Sequence, residues 1–202
     1  ILYAAKAGYY AGTFAIINNS WGGGGYSNSE QSVINTAHNT YGAVVVASAG
    51  NGSSTGNEEQ YETGYPASYE NVISVCAIGC NGNWGGWASY HPTVDLAAPG
   101  ESIYSAIIGT GYASWNGSSM AGPNAASAIG LLQAFYPDMD NDQLIERILN
   151  TADRFIYDRN PEYETCNGYN GMDCLGKGMV DPYKAIGVEI APNLDILSFS
   201  VI

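Results

Sequence analysis

Ala43-Val-Val-Val-Ala-Ser48, running on into Ala49-Gly50-Asn51, is the stretch that decides the fold. It is apolar almost throughout and rich in β-branched residues, as expected of a parallel strand buried on both faces. A strand with one wet face would alternate instead. Upstream, Ser27-Asn-Ser-Glu30 reads as a helix start, with Ser27 as the cap and Glu30 three residues on. Val33, Ile34 and Ala37 give that helix one apolar face, and Gly42 stops it. A helix leading straight into a buried strand is half of a βαβ unit. Residues 15–18 read as a shorter strand entering the loop Asn18-Asn-Ser-Trp-Gly-Gly-Gly-Gly25.

Downstream of Asn51 a polar loop runs to about residue 64. Strands are expected over 71–78 and 93–97, Pro99-Gly100 forms a turn, and 102–108 suits an antiparallel strand. After Gly117-Ser-Ser-Met-Ala-Gly-Pro123 a helix runs to about Tyr136, with Pro123 placed in its first turn. Its many small residues (Ala121, Ala125, Ala126, Ser127, Ala128, Gly130) predict a buried helix in close contact with its neighbours. Residues 142–151 read as an amphipathic helix with Leu144, Ile145, Ile148 and Leu149 inward. The chain shows no internal repeat, and the tail from Val188 is apolar without clear periodicity. This order of elements predicts one α/β domain over 1–202.

The chain has 202 residues, 46% of them hydrophobic and 12% charged, enough for one sizeable core and no basis for disorder. Six Lys and Arg face 19 Asp and Glu, a formal charge of −13. A surface this acidic repels nucleic acid and anionic membranes. No apolar run reaches the roughly 18 residues a membrane span needs. Four cysteines allow three pairings. The turn-rich loop between Cys166 and Cys174 suits a local disulfide, and Cys76 and Cys80 are close enough to pair if a turn brings them together. Zinc fits poorly, because neither pair has the two-residue spacing of a zinc knuckle and no His lies nearby. This cysteine usage favours an exported, oxidising setting. The start at Ile1, without Met or leader, reads as a processed product or fragment.

Two residues stand where chemistry is expected. Asn51 ends a buried parallel strand, the edge at which α/β sheets bind ligands. Ser119 lies where a loop enters a helix, so backbone N–H groups and a favourable dipole stand behind it. A hydroxyl that attacks and an amide that donates to the developing oxyanion are what acyl transfer needs. Taken singly, both residue types are common in turns.

Gly117-Ser-Ser-Met-Ala-Gly-Pro123 resembles the nucleophile segment of the subtilisin-like serine proteases, Gly-Thr-Ser-Met-Ala-x-Pro, with Ser118 standing for Thr. Val44-Val-Val-Ala-Ser-Ala-Gly-Asn51 resembles the family's oxyanion strand, and Ile16-Ile-Asn-Asn-Ser-Trp-Gly22 its substrate-binding edge. Tyr65-Pro-Ala67, Val94-Asp-Leu-Ala-Ala-Pro-Gly100 and Gly176-Lys-Gly-Met-Val-Asp181 follow in family order. The resemblance implies a three-layer subtilisin-like fold, a mostly parallel central sheet flanked by helices and incomplete in this chain. It implies Ser119 as nucleophile and Asn51 as oxyanion donor. Ser20, Trp21 and Gly22 would offer an edge to the substrate peptide, and Ala49, Gly50 and Gly64 would line the pocket for the side chain before the cut.

The family's Asp and His motifs do not occur here. His38 falls within the helix before Gly42, His91 falls in a loop, and Asp95 belongs to a segment that is not the triad acid. Ile1-Leu-Tyr-Ala-Ala-Lys-Ala resembles the family strand that follows the His helix. The expected function is therefore serine endopeptidase activity on protein or peptide substrates, outside the cytoplasm, with an N-terminal chain or fragment supplying Asp and His. The chemistry requires no cofactor or metal. Structural calcium is allowed by the resemblance, although the acidic run 138–142 reads better as helix-capping carboxylates than as an EF-hand, which would want Gly at the position of Gln143. Two other classes compete: a catalytically inactive module that binds a peptide or protein in the same cleft, and an extracellular structural module, against which the buried parallel strands speak.

Overall fold

Valines at 44, 45 and 46 point alternately to opposite faces of a strand, so a sheet holding them needs cover on both sides. The computed structural model, which describes residues 1–52, 64–166 and 173–187, supplies it. Strands β1 (Ile16–Asn19), β2 (Val44–Ser48), β3 (Val72–Ile78) and β4 (Leu96–Pro99) form one sheet in the order β1-β2-β3-β4. Every pairing is parallel, with Ile16 opposite Val44, Val45 opposite Val72 and Val75 opposite Leu96. Val44, Val46, Val75 and Leu96 face helix α3 (Ser118–Phe135) together with Ala121, Ala125 and Ile129. Val45 and Ala47 face the other way, against Ile34 of helix α2 (Asn28–Tyr41). The result is the expected three-layer α/β arrangement.

Helix α2 begins on Ser27, whose Oγ accepts from Glu30 N, and ends at Gly42, as its sequence predicts. The amphipathic helix α4 (Asn141–Asn150) starts one residue earlier than expected, on a capping box made by Asp140 and Gln143. The far edge of the sheet is closed by residues 177–180: Ala97 N donates to Gly178 O and Val180 N to Ala97 O. Cys166 and Cys174 form a disulfide in the loop leading to that segment. Short helices α5 (Phe155–Arg159) and α6 (Pro182–Ile186) complete the described part. The tail from Val188 and the polar loop over 53–63 lie outside the described residues.

Five expectations are corrected. The first residues are not a strand: Leu2–Tyr10 is helix α1, docked on α2 through Ala5 and Ala37. Alanine-rich composition and tertiary contact decide this segment, not its likeness to a strand. Cys76 and Cys80 are both free, because Cys76 points from β3 into the core while Cys80 is exposed in the following turn. Strand 102–108 is shorter, Ile103–Ala106 (β5), and forms a hairpin with Tyr112–Trp115 (β6). Helix α3 starts at Ser118, so Pro123 sits inside it. That helix is also only half buried: Ala121, Ala125, Ala128 and Leu132 face the sheet, while Ser127, Leu131 and Phe135 are exposed.

Asp95 leads into β4, and its carboxylate accepts from Ser74 N at 2.8 Å. Burial pushes its carboxyl up to about 6, against the weaker pull of that bond and of Lys177. The folded state thus disfavours the charge. Below pH ~4 both folded and unfolded states are protonated, and stability falls as pH rises from there to about 6. Asp95→Asn keeps an acceptor for Ser74. It is expected to raise stability at pH 7 by on the order of 2 kcal/mol, with no gain at pH 4, as read from urea midpoints of the full-length protein.

Candidate active site

Strands β1 and β2 end side by side, and helix α3 begins above them. Gly122 permits this approach: a Cβ there would lie 2.8 Å from Asn18 Oδ1 and 3.1 Å from Ser48 Oγ. Pro123 has no N–H, so it cannot give the usual helical bond to the carbonyl of Ser119. Ser20 Oγ, just past β1, takes that carbonyl instead at 2.9 Å, and Asn18 Nδ2 donates to Ser20 Oγ at 2.9 Å. The proline that should interrupt α3 therefore ties the helix start to the end of β1. In return Ser119 Oγ donates to Ser20 O at 3.4 Å, a long and weak bond.

Asn51 is fixed from the same helix. Its Oδ1 accepts from Ser118 N at 2.8 Å and from Ser118 Oγ at 2.9 Å, which leaves Nδ2 as the donor of the amide. Ser118 Oγ also accepts from Gly50 N at 3.1 Å, and Ser48 Oγ donates to Ser118 O at 2.9 Å. Sequence reasoning treated Ser118 only as a stand-in for Thr; the structure makes it the residue that orients Asn51. Its position beside Ser119 was visible in the sequence, but its partners at 48, 50 and 51 were not. The Ser119 N–H belongs to the first turn of α3, where N–H groups have no acceptor within the helix.

A cleft of about 410 Å³ brings the candidates together. Trp21, Gly22, Ala49, Gly50, Asn51, Gly64 and Ser119 all line it, with Ser118 and the unanticipated Gly23, Gly24, Ser48 and Gly52. Ser20 stands beside it, bonded to Ser119 as above. Among the described residues its walls carry no ionisable side chain. A second groove of about 260 Å³ lies on the other side of Ser119, between the β5–β6 hairpin and α3, and is lined by Ile103, Trp115, Met120 and Pro123. Chemically, the site offers a hydroxyl and a side-chain amide at the rim of a parallel sheet.

Among the described residues no base stands beside that hydroxyl. His38 is buried on α2, where Nε2 pairs with Asp142 at 3.0 Å and Nδ1 lies 3.0 Å from Asn141 Nδ2. His91 accepts from Thr93 N through Nδ1 at 3.2 Å, and partial burial lowers its pKa. Neither histidine lines the cleft. Of the carboxylates of 138–142, Asp140 caps α4, its Oδ1 accepting from Gln143 N at 2.8 Å, while Asp142 pairs with His38. Among the described residues no group of three or more His, Cys, Asp or Glu side chains could hold a metal ion, and no residue is assigned to calcium. No described helix is long and apolar enough to cross a membrane.

The model of the subtilase family of S8 peptidases matches residues 3–174. Subtilisin DY of Bacillus licheniformis is 38% identical over 146 residues, which is 70% of this chain and 52% of that protein. The thermostable alkaline protease of Halalkalibacterium halodurans is 36% identical over 137 residues, 68% of this chain and 36% of that protein. The chain thus spans about half or less of these curated relatives. Among solved structures, a protease of Pseudoalteromonas arctica PAMC 21717 superposes with a TM-score of 0.69 at 28% identity, over 85% of this chain and 50% of that one. Sphericase gives a TM-score of 0.69 at 25% identity, over 88% and 60%. With its parallel sheet, its Ser-bearing helix start and a family match over most of its length, the chain belongs to the subtilase family.

Proposed function

We propose that this chain is the nucleophile-bearing part of a subtilisin-like serine endopeptidase that acts on protein or peptide substrates. The observation that carries this reading is the convergence of Ser119 and Asn51 on one cleft, with the Asn51 amide locked by Ser118. Ser119 Oγ attacks the scissile carbonyl carbon while its proton passes to a histidine. The negative charge on the former carbonyl oxygen is held by the Ser119 N–H and Asn51 Nδ2. Collapse breaks the C–N bond, the imidazolium returns the proton to the leaving amine, and water then hydrolyses the acyl ester on Ser119. Among the described residues the walls of the cleft are uncharged, which suits a bulky uncharged side chain before the cut. Ser20, Trp21 and Gly22 present the edge along which the peptide lies.

The histidine and its aspartate come, on this reading, from an N-terminal chain or fragment. Support comes from the face around Ser119. From Ser102 to Pro137 the sequence carries no Asp, Glu, Lys, Arg or His, in a chain of net charge −13. That stretch forms the β5–β6 hairpin and α3; it exposes Trp115 (54%) at the second groove and, further along α3, Leu131 (44%) and Phe135 (56%). Beside it, among the described residues, β1 has β2 on only one side and offers an unpaired strand edge. An uncharged apolar face next to an open edge suits a tightly packed partner. The disulfide supports an extracellular setting.

Hydrolysis of a chromogenic peptide by this chain, with and without the N-terminal region of the protein, tests the proposal. Activity is expected only with both. Tight binding of the peptide without turnover would favour an inactive peptide-binding module. Ser20→Ala in the active protein removes the donor to Ser119 O that Pro123 cannot replace. It is expected to lower kcat/KM about fivefold, the weight of one hydrogen bond, as measured on the same peptide.

A further inference from the structure

The wall of the cleft formed by Trp21 to Gly24 is built from a chain with little shape of its own. Gly23 and Gly24 have φ of 141° and 74°, and a Cβ at Gly23, Gly24 or Gly25 would meet nothing within 4 Å. Such a run keeps its shape only through its ends. One end is held by Gly23 N, which donates to Tyr65 O at 3.0 Å. The other runs through Tyr26 into Ser27, the cap of α2.

A capping box would return the Ser27 N–H to the side chain of Glu30. Here the return is relayed. Ser27 N donates to the hydroxyl of Tyr69 at 2.8 Å, and that hydroxyl donates to Glu30 Oε2 at 2.9 Å. Tyr69 is only 4% exposed, and its ring packs against Tyr26 at 5.3 Å and Tyr65 at 4.6 Å between centroids. Its backbone is pinned by Tyr69 N to Pro66 O at 3.2 Å, and the next residue by Glu70 N to Gln31 Oε1 at 3.1 Å. One phenol thus grips both ends of the glycine wall, through Ser27 on one side and Tyr65 on the other.

We propose that Tyr69 is a positioning residue for substrate selectivity: its hydroxyl, relayed to Glu30, sets the width of the cleft between the glycine wall and Gly64–Tyr65. The inference rests on the cleft being the site of the substrate side chain before the cut. Tyr69 touches no substrate and acts only through the wall. Loss of the hydroxyl frees the Ser27 N–H and lets the wall drift, which weakens the fit of a large side chain and leaves a small one indifferent.

The test compares wild type with Tyr69→Phe in the complete active protein, on two peptides that differ only in Phe or Ala before the cut. KM for the Phe peptide is expected to rise about fivefold with kcat changed less than about twofold, and KM for the Ala peptide to stay level. Glu30→Gln, which keeps an acceptor for the phenol, should retain the wild-type ratio, whereas Glu30→Ala should follow Tyr69→Phe. An unchanged Phe-to-Ala ratio in Tyr69→Phe, with only a fall in Tm, overturns the proposal and leaves Tyr69 a structural brace. Equilibrium binding of product peptides ending in Phe or Ala is measured alongside and must move in the same ratio. That readout needs no turnover, so a protein that cleaves neither peptide sinks the endopeptidase reading while selectivity is still decided by the two Kd values.

Discussion

Ser119→Ala, made in the protein assembled with the proposed N-terminal chain, is expected to lower kcat for peptide hydrolysis about a millionfold, the scale known for loss of the nucleophile in subtilisin itself. KM should change little, because the walls of the cleft are untouched. Ser118, one residue away, cannot take over. Its hydroxyl donates to Asn51 Oδ1 and accepts from Gly50 N, and the residue is buried. Among the described residues Ser119 Oγ has only a long contact with Ser20 O to give up on attack. Ser118→Ala should accordingly leave a measurable rate. A residual rate in Ser119→Ala within about a hundredfold of wild type would mean that the hydroxyl is not the nucleophile.

Asn51→Leu is expected to act mainly on kcat, by about 100- to 1,000-fold, a size carried over from the oxyanion donor of subtilisin. The physical reason is that Nδ2 meets no oxyanion in the ground state and one full negative charge in the transition state. Asn51 is also the acceptor for Ser118 N and Oγ, so its replacement disturbs the start of α3. Asn51→Asp separates the two effects: the carboxylate still accepts from Ser118 but presents no donor. If Asn51→Asp matched wild type in kcat while Asn51→Leu did not, the residue would be a brace for the helix and not a donor to the reaction.

Much of this was legible in the chain because the deciding signals are local. Val44 to Ser48 reads as a doubly buried strand and Ser27 with Glu30 as a helix start, and both form as read. The clustering of Trp21, Gly22, Ala49, Gly50, Gly64, Asn51 and Ser119 was legible through the resemblance of their segments to subtilisin-like motifs. What was not legible is tertiary. Likeness to a strand misled at residues 1–7, where alanine and the docking surface of α2 favour a helix. Pro123 was placed in a first turn because nothing in the sequence says that Ser20, a hundred residues earlier, takes the carbonyl the proline leaves. The capping box at Ser27 was read, but its relay through Tyr69 depends on a residue 42 positions along the chain. Ser118 was visible, yet its grip on Asn51 exists only once β2 and α3 have met.

The most direct measurement is covalent labelling with a fluorophosphonate, mapped by mass spectrometry, on this chain alone and on the protein with the proposed N-terminal chain in place. A phosphonylated Ser119 in the assembled protein, absent from Ser118 and absent when the chain is alone, is the predicted result. Label elsewhere, or Ser119 left unmodified in the assembled protein, would contradict a nucleophile at the start of α3 awakened by a base from outside this chain.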